Sequence, residues 1–157
     1  MATSHRPHSF RLTCMLLAVV AAAMLIPSAA AQTPTSPAEY LGYELGDRFT
    51  PHHQTIGYFR QVAEESDRVQ MVTYGRTNEG RELVLAFVSS PGNLARLEEI
   101  REDNLRRARL MDGVAGDDGK AIVWLSYNVH GNESNSSEAA LATLYRSADP
   151  AHEAAEW

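Results

Sequence analysis

Apolar positions follow three rhythms along this chain, and each predicts a different kind of element. From Thr50-Pro51, a helix start with proline at the first helical position, Ile56, Phe59, Val62 and Ala63 recur at helical spacing to about Ser66. Val69 to Tyr74 and Leu83 to Ser89 are instead β-branched and aromatic-rich runs. Gly75-Arg76-Thr77-Asn78-Glu79-Gly80-Arg81 between them holds the Asn and Gly residues that left-handed turns use, so the two runs read as a hairpin. After Ser90-Pro91-Gly92, Leu94 to Met111 is dense in charge, with Glu102/Arg106 and Asp103/Arg107 in the stabilising i,i+4 order. That is the signature of a solvated helix, and its interleaved Glu98, Glu99, Glu102 and Asp103 cancel Arg101, Arg106, Arg107 and Arg109 as an anion patch. Asp112-Gly113 and Gly116-Asp117-Asp118-Gly119 read as a loop whose spacing matches no calcium-binding loop. The third rhythm is the near-continuous apolar run Ala121 to Val129, the pattern of a buried strand. A helix follows from about Ser136 to Ser147 with Ala139, Ala140, Leu141, Leu144 and Tyr145 as its apolar set, and Asp149-Pro150 stops it. Ala151 to Trp157 begins a further helical pattern.

The amino-terminal part obeys none of these rhythms. His5, Arg6, His8 and Arg11 precede the apolar run Leu12 to Ile26, then Pro27 and the small residues Ser28-Ala29-Ala30-Ala31. A basic start, an apolar stretch too short to span a bilayer and a small-residue exit describe a secretory signal peptide over residues 1–31, cleaved before Gln32. The chain is therefore expected to be exported, periplasmic or extracellular, with no stable membrane anchor. Gln32 to Pro37, with two prolines, two threonines and a serine, reads as an extended linker into one domain over residues 32–157. Cys14, the only cysteine, lies inside the leader, so the mature chain forms no disulfide and its core or a metal must hold it. The formal charge of −6 over 157 residues leaves no basic surface for nucleic acid.

The candidate chemistry lies at the end of the third rhythm. His130-Gly131-Asn132-Glu133 stands between the expected strand and the helix after it. An imidazole and a carboxylate three residues apart, in a turn at the carboxyl end of a strand, can share one Zn²⁺. A plain polar turn has the same spacing, and zinc hydrolases take three protein ligands, so the pair is incomplete alone. Other histidines are poor third ligands. His152 lies beyond the whole of the following helix, roughly 15–20 Å away at 1.5 Å per residue. His52 and His53 suit the solvent-facing start of the first helix. Glu138 lies one helical turn into that following helix and is a surface residue close enough to support the ligands. Ser134, Asn135 and Ser136 are each competent helix caps.

Taken in order, the Tyr74 to Leu83 hairpin with its Gly-Arg-Thr-Asn-Glu-Gly-Arg turn, the Val123 to Val129 strand and His130-Gly131-Asn132-Glu133 resemble the amino-terminal part of the zinc carboxypeptidases of the peptidase M14 type. The likeness covers about Tyr40 to Tyr145. It implies an α/β fold, an α/β/α sandwich around a mixed sheet of which this chain supplies only the first part. It implies Zn²⁺ held by His130 and Glu133, and a peptide or protein substrate cleaved at its carboxyl end. It also implies a third histidine ligand and a general-base glutamate later in the chain, beyond Trp157, so no catalytic base is expected here. Many such enzymes hold an arginine two residues after the first ligand to bind substrate; Asn132 occupies that place here. The rival readings are an amidohydrolase of the aspartoacylase or succinylglutamate-desuccinylase type, whose zinc turn is also commonly His-Gly-Asn-Glu, and a secreted binding module without catalysis.

Overall fold

The computed structural model describes residues 33–156. The expected leader, Met1 to Ala31, lies outside the described residues, as do Gln32 and Trp157. Among the described residues five helices, a two-stranded sheet and a closing 3₁₀ turn follow one another: α1 Pro37–Leu41, α2 His52–Glu65, β1 Val69–Arg76, β2 Glu82–Val88, α3 Pro91–Leu94, α4 Leu97–Arg107, α5 Asn135–Ala148 and the 3₁₀ turn Glu153–Glu156. No helix among the described residues is long and apolar enough to cross a membrane.

The core lies where α2, β1 and α5 meet. Tyr58 and Val62 of α2, Val69 of β1, and Leu141, Leu144 and Ala148 of α5 form one buried cluster, with Tyr40, Leu45, Phe59, Ala86, Val88 and Tyr145 packed around it. Helical spacing identifies most of both faces, but Tyr58 falls outside the set expected for α2 and is fully buried, while in α5 the expected Ala139 is exposed and Ala148, beyond the expected end at Ser147, is buried. A tyrosine enters a core when its hydroxyl finds a partner. Here it donates to the Thr35 carbonyl oxygen at 2.9 Å. Burial, with the charges of Tyr145, Glu65 and Glu39 adding to it, drives that phenol far above its ordinary pKa.

The same bond corrects the expectation of an extended linker over Gln32 to Pro37. Pro34 and Pro37 are buried, and the Thr35 N–H and hydroxyl both donate to the Glu65 carboxylate, at 2.7 and 2.8 Å. Proline-rich composition predicts an extended backbone, and the backbone is extended, yet it is strapped to the core. The strap leads into α1, whose start is a capping box: the Glu39 N–H meets the Ser36 hydroxyl while the Glu39 carboxylate accepts from the Ser36 N–H. Gly42, at φ 74°, ends it.

The hairpin forms as expected. β1 and β2 pair antiparallel, Val69 opposite Val88 through Arg76 opposite Glu82, with an irregularity between Thr73 and Gly75 that leaves Tyr74 without a partner. Gly80, at φ 80°, makes the turn, and its N–H donates to the Thr77 carbonyl at 2.9 Å. The charged segment divides in two, because Ser90 and Pro91 start a short helix at Pro91 that ends at Leu94. The Glu102/Arg106 and Asp103/Arg107 pairs form along α4 at 2.7 and 2.9 Å. Acidic side chains occupy its first turn and basic ones its last, the order its dipole favours.

The third rhythm departs from expectation. Ala121 to Val129 forms no strand and pairs with none among the described residues, and Ile122, Val123, Trp124, Leu125 and Val129 are exposed, Trp124 at 70%. Apolar content gives a segment the preference for a buried strand and cannot supply the neighbour that its N–H and C=O groups require. Two bonds tether it: Asn104 Nδ2 donates to the Lys120 carbonyl at 3.0 Å and Tyr127 Oη to Thr143 Oγ1 at 2.8 Å. Helices with a small antiparallel sheet are compatible with part of an α/β fold.

Candidate metal centre

The expected ligands lie on one turn. Asn128 takes a left-handed conformation at φ 57°, which bends the chain out of the apolar segment. The Glu133 N–H donates to the His130 carbonyl at 3.0 Å, and the Ser136 N–H donates to the Glu133 carbonyl at 3.1 Å, leading into α5. His130, Asn132 and Glu133 are exposed, and among the described residues neither ligand side chain is drawn into a hydrogen bond or an ion pair. Gly131 has open space around it. The turn therefore presents an imidazole and a carboxylate to solvent, both of the donor chemistry zinc takes. They fit two of its positions. Among the described residues no three His, Cys, Asp or Glu side chains come together.

His152 is turned to local use, its Nδ1 accepting from the Ala154 N–H at 3.1 Å. It follows α5, whose 14 residues measure roughly 21 Å at about 1.5 Å per residue. His52 and His53 open α2 and are exposed. The helix caps behave differently from expectation. Ser134 caps α5 by position, yet its side chain makes no capping bond. Thr50 does not cap α2 either; the cap position is Pro51, with no side-chain bond.

The reason is a tertiary claim on the Thr50 hydroxyl. Thr50 is 2% exposed, and its Oγ1 donates to Glu138 Oε1 at 3.0 Å. The Gly46 N–H donates to Glu138 Oε2 at 2.8 Å. Glu138, expected to be a surface residue, instead holds two groups of the 42–50 segment. An open groove of about 300 Å³ runs between that segment and α5, lined by Gly46, Arg48, Phe49, Ser134, Asn135 and Glu138. Nothing in the local sequence marks Gly46 or Thr50 as partners of Glu138, since about 90 residues separate them.

The profile of the zinc carboxypeptidase family, peptidase M14, matches residues 55–154, from the first turn of α2 through the hairpin, the His130–Glu133 turn and α5 into the closing 3₁₀ turn. The chain belongs to the zinc carboxypeptidase family. No curated protein and no solved structure matches it. A zinc carboxypeptidase of this family is a zinc-dependent hydrolase by kind, and the His130/Glu133 turn falls inside the matched span.

Proposed function

We propose that this chain carries the first part of an exported zinc-dependent metallocarboxypeptidase, in which His130 and Glu133 are two protein ligands of Zn²⁺. Family membership across residues 55–154, with an exposed and unengaged His-x-x-Glu turn inside that span, is the observation that carries this reading. The complete fold is an α/β/α sandwich, in which Ala121 to Val129 becomes an inner strand once neighbours flank it. The third ligand, a histidine, and the general-base glutamate come from outside residues 33–156.

Zinc, when bound, supplies a Lewis acid for the scissile carbonyl and lowers the pKa of a water molecule. The chain's own residues contribute position. The bond between the Glu133 N–H and the His130 carbonyl keeps the two donors on one turn. Asn132, between the ligands, reaches substrate with a neutral amide in place of the arginine many relatives hold there. It therefore binds a substrate carboxylate less strongly than a guanidinium would.

Joining residues 32–157 to a downstream segment that provides a histidine and a glutamate is expected to release carboxyl-terminal residues from peptides, and His130→Ala or Glu133→Ala to abolish that release. Activity that survives both substitutions overturns the assignment. Hydrolysis of N-acyl amino acids with no action on peptides transfers the site to the amidohydrolase reading. Residues 32–157 alone are expected to bind Zn²⁺ weakly in calorimetric titration and to hydrolyse nothing, since two donors leave the remaining positions to water. Tight one-to-one binding lost in His152→Ala would make that histidine the third ligand.

A further inference from the structure

Between Val129 and Asn135 every residue is exposed, so burial does not fix the His130–Glu133 turn in place. Its backbone bonds, Glu133 N–H to the His130 carbonyl and Ser136 N–H to the Glu133 carbonyl, are local, and Ser134 adds no capping bond. Restraint on the carboxyl side of the turn must come through α5. In that helix the buried face starts at Ala140, with Leu141, Leu144 and Ala148 beyond it. Glu138 precedes that face. Its bonds to Gly46 and Thr50 are the only hydrogen bonds from residues 130–138 to a distant segment among the described residues.

The proton inventory makes this contact directional. Both oxygens of the Glu138 carboxylate accept, one from the Gly46 N–H and one from the Thr50 hydroxyl. With its single proton committed to Glu138, Thr50 Oγ1 accepts from the Tyr43 hydroxyl, 3.0 Å away, and Tyr43 shares its own proton with Gln54 Oε1 at 3.3 Å. The chain Gln54–Tyr43–Thr50–Glu138 runs from α2, through the 42–50 segment, to the first turn of α5. A carboxylate at a helix amino terminus is favoured by the helix dipole, and hydrogen bonds to a charged acceptor are the strong ones.

We propose that Glu138 is a positioning residue: by holding Gly46 and Thr50 against the first turn of α5, it fixes the His130–Glu133 turn and the Arg48/Phe49 wall of the adjoining groove relative to each other. Glu138 touches no metal in this role and acts through the two ligands. The part that concerns zinc rests on the ligand assignment above. The clamp itself does not.

The test uses the full chain, amide hydrogen exchange as one readout and titration with ZnCl₂ as the other. Glu138→Ala is expected to speed exchange of the Gly46 amide, which it binds, and of the Ser136 amide, which is bonded to the Glu133 carbonyl, by roughly tenfold, the weight of a hydrogen bond to a charged group. Hairpin amides such as those of Val72 and Val84 should keep their protection. Thr50→Val leaves the carboxylate in place and removes one of its donors, and it should move the same amides in the same direction by less. Both variants should weaken Zn²⁺ binding, Glu138→Ala by about tenfold, the lower end of the range typical of residues that orient ligands, and Thr50→Val by less. Unchanged exchange at Gly46 and Ser136 in Glu138→Ala overturns the proposal. So does an equal rise across the hairpin, which is general destabilisation. Zinc binding abolished by Glu138→Ala but untouched by Thr50→Val makes Glu138 a ligand and likewise overturns it. If the parent chain binds no Zn²⁺ at all, the ligand assignment fails, and the exchange measurements still decide the clamp.

Discussion

The two apolar stretches that flank the His130–Glu133 turn end in opposite states, and the more apolar of the two is the one left exposed. On the carboxyl side, Leu141 is completely buried and Leu144 nearly so, packed against Tyr58, Val62 and Val69. On the amino side, Val123, Trp124 and Leu125 are mostly exposed. A helix satisfies its own backbone and needs only an apolar surface to lie on, which α2 and the hairpin provide. A strand needs a neighbour that can pair with it, residue by residue. The difference lies in what each kind of element requires from the rest of the fold.

The comparison is most severely tested at Leu141. Leu141→Ala should lower the free energy of unfolding by about 2–5 kcal/mol in urea denaturation, the usual range for emptying a packed leucine site. A loss under about 1 kcal/mol would mean that α5 is not anchored as described. Trp124→Ala, by contrast, should leave that free energy within about 0.5 kcal/mol, as for other exposed positions.

The exposed segment has its own test. Residues 32–157 should aggregate at micromolar concentration through Ile122 to Leu125, and Val123→Lys should raise the soluble fraction without lowering the melting temperature. A sharp, reversible, monomeric melt of the parent sequence would show that the segment has no need of a neighbour.

A smaller effect concerns the strap at Thr35. Burial pushes the Glu65 carboxyl up, but the hydrogen bonds from Thr35 and Gln61 outweigh it and hold it below its ordinary value. A depressed carboxyl stabilises the fold above its unfolded pKa and loses that contribution as pH falls through the folded one. Stability should thus drop below about pH 4.3, the ordinary glutamate value, and Glu65→Gln should flatten the drop. Chemical denaturation between pH 2 and 6 checks it; parallel curves would remove the strap from the core's account.

The smallest effect is at Gly57, where an added Cβ would collide with the Tyr40 hydroxyl. Gly57→Ala gains about 1 kcal/mol of helix propensity and displaces the tip of a ring packed 5.4 Å from Tyr58, so the net change should be near zero by thermal melt.

Much of this molecule is legible along the chain, wherever the determining interactions are local. The hairpin follows from a turn that only a residue free to reach φ 80° can close, and Gly80 is in the sequence to close it. The α4 ion pairs follow from four-residue spacing. What sequence reading misplaces depends on a distant partner. Gln32 to Pro37 has the composition of a linker, and the docking of its described part at Thr35 depends on Tyr58 and Glu65. Thr50 has the position of a helix cap, and its hydroxyl is claimed by Glu138. His130 and Glu133 are candidate ligands by type and spacing, and they share a turn; Glu138 reads only as their neighbour, because its partners lie about 90 residues upstream.

One bond described by neither face decides how this unit can be handled. Thr33 Oγ1 donates to Asp149 Oδ1 at 3.1 Å, so the strap's first residue sits beside the residue that ends α5. The carboxyl end of that helix lies roughly 20 Å from its amino end, where the His130–Glu133 turn is, by helical rise alone. An affinity tag or a fluorescent label joined directly at Thr33 therefore attaches at the far pole from His130 and Glu133. A probe placed there reports on the molecule without shadowing the site.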